Sequence, residues 1–260
     1  MAKVLILCPT FNHADSLFAS IASVRIQSFT DWEMVVIGDG APERTYASVD
    51  TIRARDSRIE AVRHVKSVRN GEEYRDPIIR ASDAEFVCHL SDDDLWAPNH
   101  LAAMVGLLEQ AEWVSQSPLR LAADGGREWW LVNSGTAQAR RAVEELRQVS
   151  AGINYVGYRR EAYLRLPEGW TPTPRAAGPT DQFMWRKFFR DKRLTIASTA
   201  RSTALKLASS TPERQDLKPE QRLADLAPWL ARISEPGLME GHCRAADVGN
   251  RLARVFAIHG

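Results

Sequence analysis

The sequence predicts an α/β fold built on a mostly parallel, Rossmann-like sheet flanked by helices, and three observations carry that prediction. Short apolar runs recur at Lys3–Cys8, Trp32–Ile37 and Glu85–Leu90, each the length of a strand buried on both faces. Helix-patterned segments separate them, and strands that alternate with helices form parallel sheets with right-handed crossovers. Each run also ends in residues that turn the chain or carry polar groups: Pro9–Asn12, Gly38–Pro42 and Ser91–Pro98. In open sheets of this kind ligands sit beyond the carboxyl ends of the strands.

The first run is closed by Pro9. After Asn12, Asp15 or Ser16 is placed to cap a helix in which Leu17, Ile21 and Val24 recur at spacings of four and three, which gives one buried stripe. Trp32–Ile37 is the second strand, and its exit Gly38-Asp-Gly-Ala-Pro42 tolerates unusual φ. A β-α-β unit is therefore complete by residue 40. Residues 43–57 suit another helix, Ile59–Val65 a short strand, and Glu72–Ala81 a helix over the sheet. Beyond Glu85–Leu90, a helix from Asn99 to Gln110 closes the first half.

From residue 112 the pattern changes. Trp113–Leu121 and Trp129–Val132 read as strands about an Asp124-Gly-Gly126 turn, a hairpin signal that predicts a smaller mixed or antiparallel part of the sheet. Ala142–Val149 and Arg160–Leu166 read as helices, Pro167–Pro174 as a turn-rich loop, and Asp181–Phe189 as a helix with aromatic residues on its buried side. The tail from Ser209 is expected to be helical at Pro219–Trp229 and Ala245–Phe256, on either side of Pro236-Gly237.

A chain of 260 residues can bury one substantial core. Its 34 basic and 33 acidic residues nearly cancel, so no global charge argues for nucleic acid or for lying on an anionic membrane. Cys8, Cys88 and Cys243 are an odd, scattered set without a CxxC pair, which fits a reducing compartment and places the protein in the cytoplasm. Val4–Cys8 is too short for a signal-peptide core, and no run of about 18 apolar residues predicts a transmembrane segment. Peripheral association with the inner face of a membrane is compatible with this reading.

The chemistry concentrates at the strand exits. Three adjacent carboxylates, Asp92–Asp94, repel one another unless a cation or solvent relieves them. Magnesium and manganese prefer oxygen ligands and commonly complete a shell of one or two carboxylates with waters and substrate phosphates. Asp93 is the first choice of metal ligand, with Asp94 beside it; the competing reading is an exposed turn that caps the next helix. Asp39, between Gly38 and Gly40, is placed to accept hydrogen bonds from a base or a ribose, or is only a turn residue. Pro9 and Phe11 would face a base, with Thr10 and Asn12 as polar contacts; a plain strand exit is the alternative.

In Pro9-Thr-Phe-Asn12, Ser23–Phe29, Asp31–Gly40 and Phe86–Pro98 around Ser91-Asp-Asp-Asp94, the chain resembles the family 2 glycosyltransferases of GT-A fold. The order and spacing of these stretches span residues 3–110. The resemblance implies that Asp39 contacts the nucleotide, Asp92 the ribose, and Asp93 the metal, as the carboxylate of a DxD-type motif. It places Arg75 near the nucleotide, although Asp76 stands where members often carry Asn and Ser91 where many carry an acid. Gly178–Arg186 resembles the acceptor-side motif and makes Asp181 the catalytic base, a role a carboxylate beside a weakly nucleophilic hydroxyl can fill; an N-cap is its bland alternative.

Tyr158 stands where some members have a metal-approaching His, so Tyr158 and the neighbouring Arg159 are candidates for phosphate contact. Trp170 either stacks on an acceptor sugar or packs against the aromatic helix. His89 reads as a core histidine. The resemblance divides the chain into a GT-A domain at 1–208, with a nucleotide-sugar half at 1–110 and an acceptor half at 111–208, plus a helical extension at 209–260.

The expected activity is inverting transfer from a nucleotide-sugar, UDP-linked, with Mn2+ or Mg2+, to a glycan, lipid-linked or small-molecule hydroxyl acceptor in glycan biosynthesis. A non-catalytic nucleotide-sugar or glycan-binding protein and a nucleotidyltransferase are the alternatives, and a homodimer stays open.

Overall fold

The computed structural model describes residues 2–121, 127–129, 133–145, 151–207 and 218–234. Its main sheet has seven strands in the order β10-β6-β9-β4-β1-β2-β3. The first of these, β1 (Val4–Thr10), lies between β2 (Trp32–Asp39) and β4 (Phe86–His89), parallel to both, and β3 (Ile59–His64) extends the parallel set beyond β2. All three apolar runs are therefore neighbours in one sheet, and Leu5, Ile6, Val36 and Val87 are buried on it. The crossovers are α1 (Ala14–Arg25), α2 (Glu43–Arg53) and α3 (Arg75–Ala81), the last preceded by one 3-10 turn at Glu72–Tyr74. The first helix starts without the expected cap: His13 is its N-cap residue, and no side chain bonds the free N–H groups.

After β4 come a two-residue strand β5 (Leu95–Trp96), α4 (His100–Leu108) and β6 (Trp113–Gln116). The single strand expected over Trp113–Leu121 is split. Ser117-Pro118 interrupts it, and proline donates nothing to a ladder, so β6 stays in the main sheet while β7 (Leu119–Leu121) belongs to another. Within that second sheet β7 pairs antiparallel with β8 (Arg127–Trp129). The antiparallel pairing expected of the hairpin is present, but its second strand is Arg127–Trp129 and meets the expected Trp129–Val132 only at Trp129; residues 130–132 and the Asp124-Gly-Gly126 turn lie outside the described residues.

Next, α5 (Ala137–Glu144) begins five residues before the expected helix because Thr136 caps it, its hydroxyl accepting from the Ala139 N–H at 3.1 Å; residues 146–150 are outside the described set. A strand that sequence reasoning omitted, β9 (Val156–Arg159), then inserts antiparallel between β4 and β6 and joins the two halves of the chain into one sheet. The short helix α6 (Arg160–Leu164) and α7 (Thr180–Arg190) follow, with Trp185, Phe188 and Phe189 of α7 on the core as its periodicity predicts.

Two further strands close the fold. β10 (Ile196–Thr199) pairs with β6, and β11 (Ala204–Leu207) sits between β5 and β7 in the four-stranded sheet. The final described helix, α8 (Pro219–Ile233), packs along α1 and buries Leu226 and Ile233 in a small second core. The expected helix at Ala245–Phe256 lies outside the described residues. Among the described residues no helix is long and apolar enough to cross a membrane.

Candidate active site

The carboxyl ends of β2 and β4 stand two strand spacings apart with β1 between them, about 10 Å. Asp39 and the Asp92–Asp94 turn thus share one rim. Asp39 is buried, and its carboxylate accepts from the Ser67 N–H at 2.5 Å, the Ser67 hydroxyl at 2.9 Å and Lys66 Nζ at 2.6 Å. Gly40 (φ 70°) permits this closeness, because a Cβ there would lie 2.7 Å from that of Lys66. Phe11 projects from the same rim, 49% exposed, with Lys66 Nζ 5.2 Å from its ring centroid. Beneath it the buried Thr10 hydroxyl has no hydrogen-bond partner among the described residues. Pro9 is half-buried and Asn12 exposed.

The three carboxylates have three different environments. Asp92 meets His13 Nδ1 at 2.9 Å. Asp93 faces Arg222 of α8 at 3.5 Å, and burial, followed by the Asp92 charge, raises its pKa. Asp94 is fully buried: it accepts from the Leu207 N–H at 2.8 Å and lies 3.4 Å from Lys206 Nζ. Burial pushes its pKa up to about 7 against the pull of Lys206. Asp94 therefore ties the triplet to β11, and the expectation that it ligates a metal is corrected: its oxygens are already engaged and closed from solvent. Replacing Asp94 with Ala orphans a buried N–H and leaves Lys206 without this partner. Asp94→Ala should lose about 2–3 kcal/mol of stability in urea unfolding, whereas Asp94→Asn, which still accepts from Leu207, should lose less.

Asp181 lies in the first turn of α7, but Pro179 is the N-cap residue and no side chain caps the helix. The N-cap reading fails; the Gln182 N–H donates to the carboxylate at 2.8 Å, and the Gln182 side chain bonds it as well. Burial raises the Asp181 pKa, opposed in part by Lys206 and Arg75. Arg75 is the electrostatic link across the rim. It is buried beneath the rim with its guanidinium 4.5 Å from the Trp170 ring centroid, and its Nη2 donates to the Asn70 carbonyl at 3.2 Å. Among the described residues its Nε and Nη1 have no hydrogen-bond partner. Burial lowers its pKa, and the charges of Glu72, Asp181 and Asp39 oppose that shift.

Three expected contacts fall elsewhere. Because β9 runs antiparallel to β4, its last residue pairs with the first of β4, Phe86↔Arg159, at the rim opposite the acids. There Arg159 donates to the Leu108 and Glu109 carbonyls at 2.8 and 2.9 Å and closes the end of α4. Tyr158 is fully buried, hydrogen-bonded to His89 Nε2 at 2.9 Å and to Trp170 Nε1 at 3.2 Å. Trp170 is buried too, so the packing alternative holds and sugar stacking does not. His89 is the core histidine expected. Asp76 accepts from the Tyr163 hydroxyl at 2.6 Å and pairs with Arg80, which gives it a structural partner.

Sequence reasoning missed four residues of this rim: His13, Lys66, Lys206 and Arg222. Lys206 had a usable signal, a lone lysine inside the apolar Ala204-Leu-Lys-Leu207. Arg222 stands four residues before the buried Leu226 and is itself buried, so a cation on the apolar stripe of an amphipathic helix was the sign. Among the described residues no group of three His, Cys, Asp or Glu side chains is arranged to hold a metal. Asp93 faces Arg222 at 3.5 Å, and one carboxylate suits a hard cation only if a substrate supplies the other oxygens.

A Rossmann-like sheet with a smaller second sheet beside it is the GT-A type of fold. The model of glycosyl transferase family 2 matches residues 5–166; the chain belongs to that family. It is 27% identical over 105 residues to the UDP-Glc:alpha-D-GlcNAc-diphosphoundecaprenol beta-1,3-glucosyltransferase WfgD of Escherichia coli, a match covering 40% of each chain. Its fold resembles that of S. aureus TarS 1–349 in complex with UDP-GlcNAc, with a TM-score of 0.62 at 13% identity over 94% of this chain and 71% of that one. It also resembles the mannosyltransferase PcManGT of Pyrobaculum calidifontis in complex with GDP-Man and Mn2+, with a TM-score of 0.58 at 15% identity over 99% and 79%. The chain spans less than half the length of the curated relatives it matches.

Proposed function

We propose that this protein transfers a sugar, with inversion, from a UDP-sugar to a hydroxyl of a phosphate-bearing glycan acceptor, with Mn2+ or Mg2+ as cofactor, at the cytoplasmic face of a membrane. The observation that carries the reading is the convergence of Asp39, Asp93 and Asp181 with the cations Arg75, Lys206 and Arg222 on one rim. The acids alone would repel a nucleoside diphosphate, and the three cations balance Asp93, Asp94 and Asp181 one for one. A diphosphate entering this balanced site brings excess negative charge, which a divalent cation shared between Asp93 and the phosphates would neutralise.

In this reading Asp39 and its Lys66–Ser67 clasp hold the base, Phe11 and Pro9 cover it, Thr10 and Asn12 add polar contacts, and Asp92 meets the ribose. Arg75, Lys206 and Arg222 bind diphosphate oxygens. The metal, when bound, stabilises the departing nucleoside diphosphate. Asp181 accepts the proton of the acceptor hydroxyl. Inversion is supported by the relative whose name pairs UDP-Glc with a beta linkage, since that donor holds its glucose through an alpha bond. The same name gives a diphosphate-linked acceptor.

A thermal-shift series tests this. A ligand that binds only the native state raises the melting temperature by mass action. UDP with Mn2+ should raise it several degrees, GDP with Mn2+ less, and Mn2+ alone hardly at all because Asp93 is a single carboxylate. Equal shifts with all nucleoside diphosphates, or none with UDP and Mn2+, would count against the reading.

A further inference from the structure

A second cavity, of about 470 Å³, opens on the solvent side of α7 and is walled by Leu166, Phe183, Arg186, Lys187, Arg190 and Arg193 among others. That volume lies in the range of small-molecule sites. Leu166, Pro167 and Phe183 give the wall its apolar part, and its basic side chains outnumber the two acidic ones, Glu168 and Asp191. Most of its charges are matched: Lys187 pairs with Glu168 at 2.8 Å, Arg193 with Asp191 at 3.1 Å, and Arg165 with Glu112 at 2.8 Å.

Arg186 and Arg190 are different. Among the described residues neither has a carboxylate within 4.0 Å. They stand four residues apart on one helix, where like charges repel. Arg190 also benefits from the carbonyl end of α7, which accounts for its presence. Arg186 has no helix-end partner of this kind; its guanidinium lies 5.2 Å from the Phe183 ring centroid. It is only 9% exposed, its Nη2 donates to the Ala177 carbonyl at 3.2 Å, and its buried Nε has no hydrogen-bond partner among the described residues. Burial, then Arg190, lowers its pKa. A buried guanidinium with an open N–H, beside a second uncompensated one, on the wall of an apolar cavity, is matched by an anion joined to a less polar body.

We propose that this cavity binds a phosphate ester, its phosphoryl group held by Arg186 and Arg190 and its body laid against Phe183 and Leu166. Asp181 opens the same helix, but at 3.6 residues per turn Arg186 and Arg190 stand about 140° and 180° around it from Asp181, so the cavity lies on the face of α7 turned away from the catalytic rim and the phosphate ester is a second ligand.

The test titrates phenyl phosphate calorimetrically into the full chain with UDP and Mn2+ present, so that the donor site is filled. One saturable event is expected, weakened roughly tenfold or more in Arg190→Gln and in Arg186→Gln and partly kept in Arg186→Lys, with UDP affinity unchanged in all three. Arg190 is exposed, so its substitution tests the site even where the buried Arg186 change disturbs folding. A parallel arm sediments the protein with phosphatidylglycerol vesicles, and wild type and Arg190→Gln should behave alike. Absence of the event, indifference to both substitutions, or displacement by UDP would overturn the site. Vesicle binding that is lost in Arg190→Gln while phenyl phosphate does not bind would make these arginines a membrane surface and overturn it equally. A failed donor reading shows separately, as wild-type protein that does not bind UDP.

Discussion

Asp181→Asn should reduce turnover by about a thousandfold while leaving UDP binding within twofold, the range assigned to loss of a general base. Asparagine keeps the size and can still accept the Gln182 N–H bond that the aspartate accepts at 2.8 Å, so α7 should start as before. What is lost is the proton acceptor. The pH profile supplies a second readout. Burial raises the Asp181 pKa, with Lys206 and Arg75 as partial opposition, and the active form is the ionised one. Turnover in the wild type should therefore be full at neutral pH and fall as pH drops through a value above the usual carboxylate range. The variant's residual rate should lack that acid limb. Turnover of Asp181→Asn near the wild-type rate, or an unchanged acid limb, would remove Asp181 from the base role.

The placement of Asp181 shows how far the sequence could be read. The three apolar runs, their order and their polar exits were legible because a short apolar run closed by turn residues suits little besides a strand buried on both faces. The rim that joins Asp39 to Asp93 follows from that pattern and from the rule for ligands at strand ends. β9 was not legible: Val156-Gly-Tyr-Arg159 is too short and mixed to announce a strand, and its antiparallel direction sends Arg159 to the far edge of the sheet. Tyr158 and Arg159 were expected at the phosphates because the resemblance set Tyr158 where some members have a metal-approaching His, and that reversal places them elsewhere. Arg222 was illegible for another reason. It is over a hundred residues from Asp93 in sequence, and only the packing of α8 on α1, through Leu226 and its neighbours, carries it there.

The packing of α8 separates two kinds of positive charge at the diphosphate, and Asp93→Asn isolates one of them. Asp92 bonds His13 and Asp94 bonds Leu207 and Lys206, so in the proposed reading Asp93, which faces Arg222, is the carboxylate of the triplet that meets the metal. Its substitution should abolish the Mn2+-dependent gain in UDP affinity. It should also lower turnover by about a thousandfold, since leaving-group stabilisation by a metal is worth several kcal/mol and each ~1.4 kcal/mol is tenfold. Affinity for UDP without metal should persist or rise, because Arg222 at 3.5 Å would no longer divide itself between Asp93 and the phosphates. Arg222→Ala should do the reverse, weakening metal-free UDP binding while uridine binding, which has no phosphate to lose, stays constant. Calorimetry of UDP and uridine, each with and without Mn2+, reads all four terms. If Asp93→Asn still binds UDP more tightly when Mn2+ is added, the cation is held elsewhere, and the Asp93 assignment falls while the protein-borne charges of Arg75, Lys206 and Arg222 keep their place.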